Sequence, residues 1–235
     1  MPSFIHTADD LAHGIIALLA ADPRLAPVHA VAGQPPLRRR PGGFPGLAAI
    51  VVSQQVSTAS AAAIWGRLAA AFDPLDPAAV LRARKDRLKR VGLSEAKILT
   101  LKAIARAIAE GSLDLAVLET LPADDAHRAL TAVHGIGPWT ADVYLLFCIG
   151  HADAWPAGDL ALQEAARLAF ALEARPGPKA MGALAEPWRP WRGVAACLLW
   201  TYYRAVKGRD VAPVKPTSGR LRPSSRAMNG GGDGR

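Results

Sequence analysis

The residues best suited to chemistry lie within one stretch, Leu130–Leu162. A Gly-Ile-Gly turn (Gly135, Ile136, Gly137) is followed by Pro138, Trp139 and Thr140, then by an apolar helical run. About twenty residues beyond the turn stands a single carboxylate, Asp159. Glycine at 135 and 137 permits backbone angles closed to other residues and a close approach of the chain to a ligand. A helix starting near Pro138 presents unpaired N–H groups and the positive end of its dipole. Gly135, Ile136, Gly137 and Thr140 therefore form a candidate phosphate grip that relies mainly on backbone N–H groups. In Gly158-Asp159-Leu160 the carboxylate reads as a helix N-cap. A carboxylate fixed there also suits stabilisation of a developing positive charge, or orientation of a water molecule.

Helices must position these groups. A first helix is capped by Thr7 or Asp9 and reaches about Ala21, where Asp22-Pro23 ends it. Gly33–Gly43, with Arg38, Arg39 and Arg40, reads as a solvated connection or a backbone contact to nucleic acid. From Gly46 to Ala71 apolar residues recur at helical spacing around a polar break, Ser53–Thr58, which predicts two helices and a junction capped by Ser57 or Thr58. The basic run Arg82–Arg90 is expected to face solvent. Further helices are expected at Glu95–Glu110, Asp114–Glu119, Ala123–Val133, Trp139–Cys148, Leu160–Ala171, Lys179–Ala185 and Pro190–Lys207. No run alternates long enough for a strand. The expected fold class is all-α.

Composition narrows the function classes. The 235 residues are 51% hydrophobic but 6% aromatic, rich in the helix formers Ala and Leu. The formal net charge of +8 suits a polyanionic partner. Two cysteines, Cys148 and Cys197, lie in apolar runs and read as buried small hydrophobes. Two thiolates are too few for an iron–sulfur cluster or a structural zinc. Met1–Ala12 holds Asp9, Asp10 and His6 and does not read as a signal peptide. The apolar runs are too short for a membrane span. A cytoplasmic protein is expected, nucleoid-associated in a bacterium. The stretch from Ala212 to Arg235 reads as a disordered basic tail.

Several motifs, in order, resemble one family. HGIGPWTAD, beginning at His134, is similar to the hairpin of the helix-hairpin-helix DNA glycosylase superfamily. PAGDLALQEA, from Pro156, resembles its segment carrying a catalytic Asp. SQQVSTASAAAIWGRL, from Ser53, resembles its DNA-wedge junction. VGLSEAKILTLKAIA and WRPWRGVAACLLW, from Val91 and Trp188, resemble segments of the DNA-3-methyladenine glycosylase II branch.

The resemblance implies two helical lobes with a DNA- and base-binding cleft between them, within residues 1–211. The middle lobe spans about 46–133, and the N- and C-terminal helices form the other. Larger members of the branch carry an N-terminal sheet domain, and the compact helical form is expected here. The resemblance makes Asp159 the catalytic carboxylate, Trp139 and Trp200 base-pocket aromatics and Gln55 the wedge. Where members that also nick the strand carry a Schiff-base Lys, this chain has Trp139, which cannot form one. The implied activity is a monofunctional hydrolase that removes alkylated purines, of the 3-methyladenine and 7-methylguanine type, from damaged double-stranded DNA. No cofactor is required. The backbone carbonyls of Thr131, Val133 and Ile136 match positions that hold a structural monovalent cation, Na+ or K+. Val143 stands where another pocket aromatic is expected, which implies a wider pocket. The expected state is a monomer. Two readings compete: the same fold acting on deaminated or oxidised bases, and a non-catalytic DNA-binding module.

Overall fold

Thr7 and Asp10 begin the fold with a reciprocal cap. The Thr7 hydroxyl accepts from the Asp10 N–H at 3.1 Å, and the Asp10 carboxylate accepts from the Thr7 N–H at 2.8 Å. They start α1 (Ala8–Ala21), which stops at Asp22 and Pro23. The structure, a computed structural model, describes residues 4–208. The basic tail expected from Ala212 onward lies outside the described residues.

The remaining helices are α2 (Leu25–Ala32), α3 (Gly43–Ser53), α4 (Thr58–Ala71), α5 (Pro77–Arg82), α6 (Lys85–Arg90), α7 (Glu95–Ala109), α8 (Ala123–Thr131), α9 (Pro138–Tyr144), α10 (Leu160–Ala169), α11 (Pro178–Ala185) and α12 (Arg192–Lys207). Single 3-10 turns cover Val117–Glu119 and Glu186–Trp188. The chain is all-α: among the described residues the one β contact is an isolated antiparallel bridge between Phe4 and His151. No helix among them is long and apolar enough to cross a membrane.

Side-chain caps fix the helix starts that matter for the site. Ser57 accepts from the Ser60 N–H, Ser94 from the Lys97 N–H and Asp159 from the Leu162 N–H. Each satisfies one of the N–H groups left unpaired in a first turn. Around the buried face of α7 (Ile98, Leu101, Ile104, Ala105) pack α3, α5 and α6. Around α12 pack α1, α2 and α10. α9 lies against both α3 and α8.

Three expectations change, and one helix is added. Leu25–Ala32 is helical because Leu25 and Val28 bury one face of a short helix against α12. The expected helix at Asp114–Glu119 shrinks to a single 3-10 turn, with Asp114 accepting from the Ala116 N–H instead. The connection 33–42 is not a free solvated loop: Pro35 is buried, and the Arg40 N–H donates to the Phe147 carbonyl at 2.9 Å. The helix after Trp139 widens into a π turn at Leu145–Ile149, ended by Gly150 in the left-handed region. Cys148 lies within that turn, and burial pushes its thiol up to about 12.

Candidate active site

Asp159 is 8% exposed, and three donors surround its carboxylate. The Leu162 N–H reaches Oδ1 at 2.8 Å, and the Trp200 indole N–H reaches the same oxygen at 3.1 Å. The Trp139 indole N–H reaches Oδ2 at 2.8 Å. All three partners donate, as an acceptor-only carboxylate requires. The helix start supplies one donor, α9 the second and α12 the third. The side chain is thus held from three elements, a preorganised arrangement suited to stabilising a cationic centre beside it.

The segment carrying Asp159 is itself pinned. Arg192, at the start of α12, is 7% exposed and donates to both Asp153 oxygens at 2.8 Å. Its guanidinium also reaches Asp124 on α8 at 2.9 Å, and Arg189 bridges the same two aspartates. The Gly193 N–H donates to the Ala152 carbonyl at 2.7 Å, and a Cβ on Gly193 would stand 2.8 Å from that oxygen. Only glycine permits this approach. Trp155 donates to the Met181 carbonyl at 3.1 Å, and Gln163 to the Ala157 carbonyl at 2.9 Å. Nothing in the local sequence announces these ties.

Trp139 and Trp200 differ in what they leave open. Trp200 is 4% exposed, and its ring stacks on Phe147 at 5.7 Å between centroids. Its indole forms a wall of the carboxylate's cradle. Trp200 lies on α12, which packs against α10 and α2. Trp139 is half-buried and lines a cleft of 580 Å³ with His127, Asp142, Trp155 and Gly158. Val143 is fully buried and opens no such space. On that cleft the His127 Nδ1 and the Asp142 carboxylate meet at 2.8 Å, joining α8 to α9. The hydrogen bond to Asp142 raises the His127 pKa above its ordinary value.

The two hairpin glycines also differ. Gly135 has φ of +87°, and a Cβ there would strike the Thr100 side chain on α7. Gly137 has an ordinary φ of −83°, so its expected special angle is corrected. A Cβ at Gly137 would meet nothing within 4 Å, leaving open space in front of the backbone. No side chain caps α9, whose first turn holds the Trp139 and Thr140 N–H groups without helical acceptors. Ile136 is buried, and its N–H donates to the Val133 carbonyl at 3.0 Å, closing the turn. The Thr140 hydroxyl is buried and accepts from Gln54 at 2.6 Å, so it is engaged within the fold. Gln55 stands exposed at the tip of the α3–α4 junction with φ of +55°.

The turn sets the carbonyls of Thr131, Val133 and Ile136 within six residues, and Val133 keeps one of its two lone pairs after accepting from Ile136. Neutral oxygen donors of this kind suit a weakly held alkali cation rather than a soft metal. Among the described residues, no group of three or more His, Cys, Asp or Glu could hold a metal ion.

Comparison with known proteins gives the chain's relatives. The chain is 34% identical over 203 residues to the "Probable bifunctional transcriptional activator/DNA repair enzyme AlkA" of Mycobacterium tuberculosis, covering 80% of this chain and 39% of that protein. It spans about a third to two fifths of the length of two curated bacterial relatives. The crystal structure of a DNA-3-methyladenine glycosidase of Bacillus halodurans superimposes with a TM-score of 0.74 at 28% identity, over 85% of this chain and 93% of that one. The 3-methyladenine DNA glycosylase Mag1 of Schizosaccharomyces pombe, solved with abasic DNA, gives 0.71 at 25% identity, over 85% and 99%. The description "HhH-GPD superfamily base excision DNA repair protein" matches residues 48–190, more than half of the sequence, and the chain belongs to that superfamily.

Proposed function

We propose that the chain is a monofunctional DNA glycosylase that hydrolyses the N-glycosidic bond of alkylated purines in duplex DNA. The observation that carries this is the buried Asp159 carboxylate, held by Leu162 and by both indoles. The names of its relatives, several of them DNA-3-methyladenine glycosylases, support the lesion class.

The damaged nucleotide leaves the stack so that its sugar reaches Asp159. The C1′–N bond breaks with its electron pair passing to the departing base, and positive charge grows on the sugar ring. The fixed carboxylate stabilises that charge, and a water adds at C1′ and passes its proton to the Asp159 carboxylate, which returns it to solvent. A base made cationic by alkylation leaves without acid assistance. Trp139, beside the carboxylate, offers it a π face. An indole forms no Schiff base with the sugar, so the strand stays intact at an abasic site. The helices around α7, about residues 46–133, form one lobe and those around α12 the other, with the duplex gripped by the hairpin amides. Thr131, Val133 and Ile136 would hold a Na+ or K+, supplying positive charge towards a phosphate. One chain supplies every group, and the enzyme acts as a monomer.

Methylated duplex DNA incubated with the protein should release free 3-methyladenine and 7-methylguanine and leave the strand whole. Release only from hypoxanthine or oxidised duplexes would move the lesion class. Tight binding with no release would make the chain a DNA-binding module.

A further inference from the structure

The junction between α3 and α4 is short, and side chains from distant segments tie it down. Lys97 on α7 donates to the Val52 carbonyl at 2.7 Å, satisfying one of the open carbonyls at the end of α3. Ser53 turns back onto the Ile50 carbonyl at 2.8 Å. Gln54 caps α3 and sends its amide inward, donating to the Thr140 hydroxyl at 2.6 Å across 86 positions of sequence. Gln55, the next residue, points outward from a left-handed backbone, a conformation non-glycine residues hold only when their surroundings impose it. Val56 beside it is 38% exposed, and Ser57 then caps α4. Two adjacent glutamines are thus sent in opposite directions.

The inward one completes a path of contacts. Gln55 is bonded to Gln54, Gln54 donates to Thr140 at 2.6 Å, Thr140 is bonded to Trp139, and Trp139 donates to Asp159 at 2.8 Å. Two side-chain hydrogen bonds therefore separate the exposed tip from the carboxylate, and both run through the first turn of α9.

We propose that Gln54 is a positioning residue that registers the α3–α4 tip with the catalytic cradle, coupling Gln55 in the duplex gap to the setting of Trp139 on Asp159. This rests on the reading above, in which Asp159 acts on an extruded nucleotide and Gln55 fills its place.

The test is single-turnover base release from a methylated duplex and from the same methylated strand unpaired, where no gap needs filling. Gln54→Leu removes the donor, and Thr140→Val removes the acceptor at nearly constant volume. Each should slow release from the duplex about three- to tenfold, the range one neutral hydrogen bond supplies, and the double variant should be no slower than the slower single. Gln54→Leu should stay within about twofold of wild type on the unpaired strand, and Thr140→Ser, which keeps the hydroxyl, should restore duplex release. Gln55→Ala should cost less in the Gln54→Leu background than in wild type. Equal slowing on both substrates, the result of a merely weakened fold, would overturn the proposal. So would singles whose effects multiply. A silent Gln55→Ala would remove the wedge reading and this proposal with it. A wild-type chain that releases no base from either substrate would instead remove the glycosylase reading itself.

Discussion

The hairpin and the carboxylate cradle lie one helix apart and are built by opposite means. The hairpin presents backbone: Gly137 opens space, Gly135 turns the chain, and the first N–H groups of α9 have no side-chain cap. The cradle is built from side chains. Trp139 and Trp200 reach from α9 and α12 to one oxygen pair, and Arg192 holds Asp153 in the segment before it. Backbone amides suit a ligand that is the same at every step of a duplex, the phosphate. Converging side chains suit a single atom that must be met in one geometry. The difference teaches that grip and chemistry can be broken separately.

The largest effect expected is from Asp159→Asn. It puts an NH₂ against one of three donors and removes the charge facing the sugar, and excision should fall by about 10²- to 10³-fold with DNA affinity retained. Single-turnover kinetics beside a binding titration checks both halves. Next comes Arg192→Met, which leaves Asp153 buried without its bidentate partner. Stability should drop by about 3–5 kcal/mol in urea unfolding. A drop below about 1 kcal/mol would mean the segment before Asp159 is held by its other ties.

Trp200→Phe keeps the stacked ring but deletes one donor to Asp159, and should slow excision by about tenfold without changing affinity. Trp139→Phe should do the same if its N–H matters more than its face, and should fall further if the open face also holds the base. The glycine pair divides the hairpin. Gly135→Ala should cost about 1–3 kcal/mol of stability, because φ is +87° and Thr100 fills the space. Gly137→Ala should leave stability nearly unchanged yet weaken DNA binding, because its Cβ enters only the open side.

The smallest effect concerns His127. Its folded pKa lies above the ordinary 6.5 because Asp142 accepts its hydrogen bond. The stability from this pair is complete below that value and is lost as pH rises through the folded value. The change should be about 1 kcal/mol or less, or roughly 2–4 °C in Tm. NMR titration of His127 should show the raised value in wild type and a lower one in Asp142→Asn.

Much of the hairpin was legible because its signals are local. Gly135-Ile136-Gly137-Pro138 encodes a turn and a helix start within four residues, and Gly158-Asp159-Leu160 encodes a cap in three. The helix caps at Thr7, Ser57 and Ser94 are of the same kind. The cradle was legible only as a set of names. Trp200 stands 41 positions from Asp159, and no spacing rule says that its N–H meets that carboxylate or that Phe147 covers its face. Gln54 read as a polar turn residue because its partner, Thr140, lies 86 positions away. Arg192 and Asp153, 39 positions apart, carry no local signal of their pairing for the same reason. The run Gly33–Gly43 misled through composition: Pro, Gly and Arg suggest solvent, yet the Arg40 backbone is bonded to Phe147.

The most direct test of the division between grip and chemistry is one titration. Single-turnover release of 3-methyladenine from a methylated duplex is followed against enzyme concentration for wild type, Asp159→Asn and Gly137→Ala. Asp159→Asn should lower the plateau rate and leave the half-saturating concentration in place. Gly137→Ala should shift the half-saturating concentration and leave the plateau. A plateau near wild type in Asp159→Asn would contradict the assignment of the chemistry to this carboxylate.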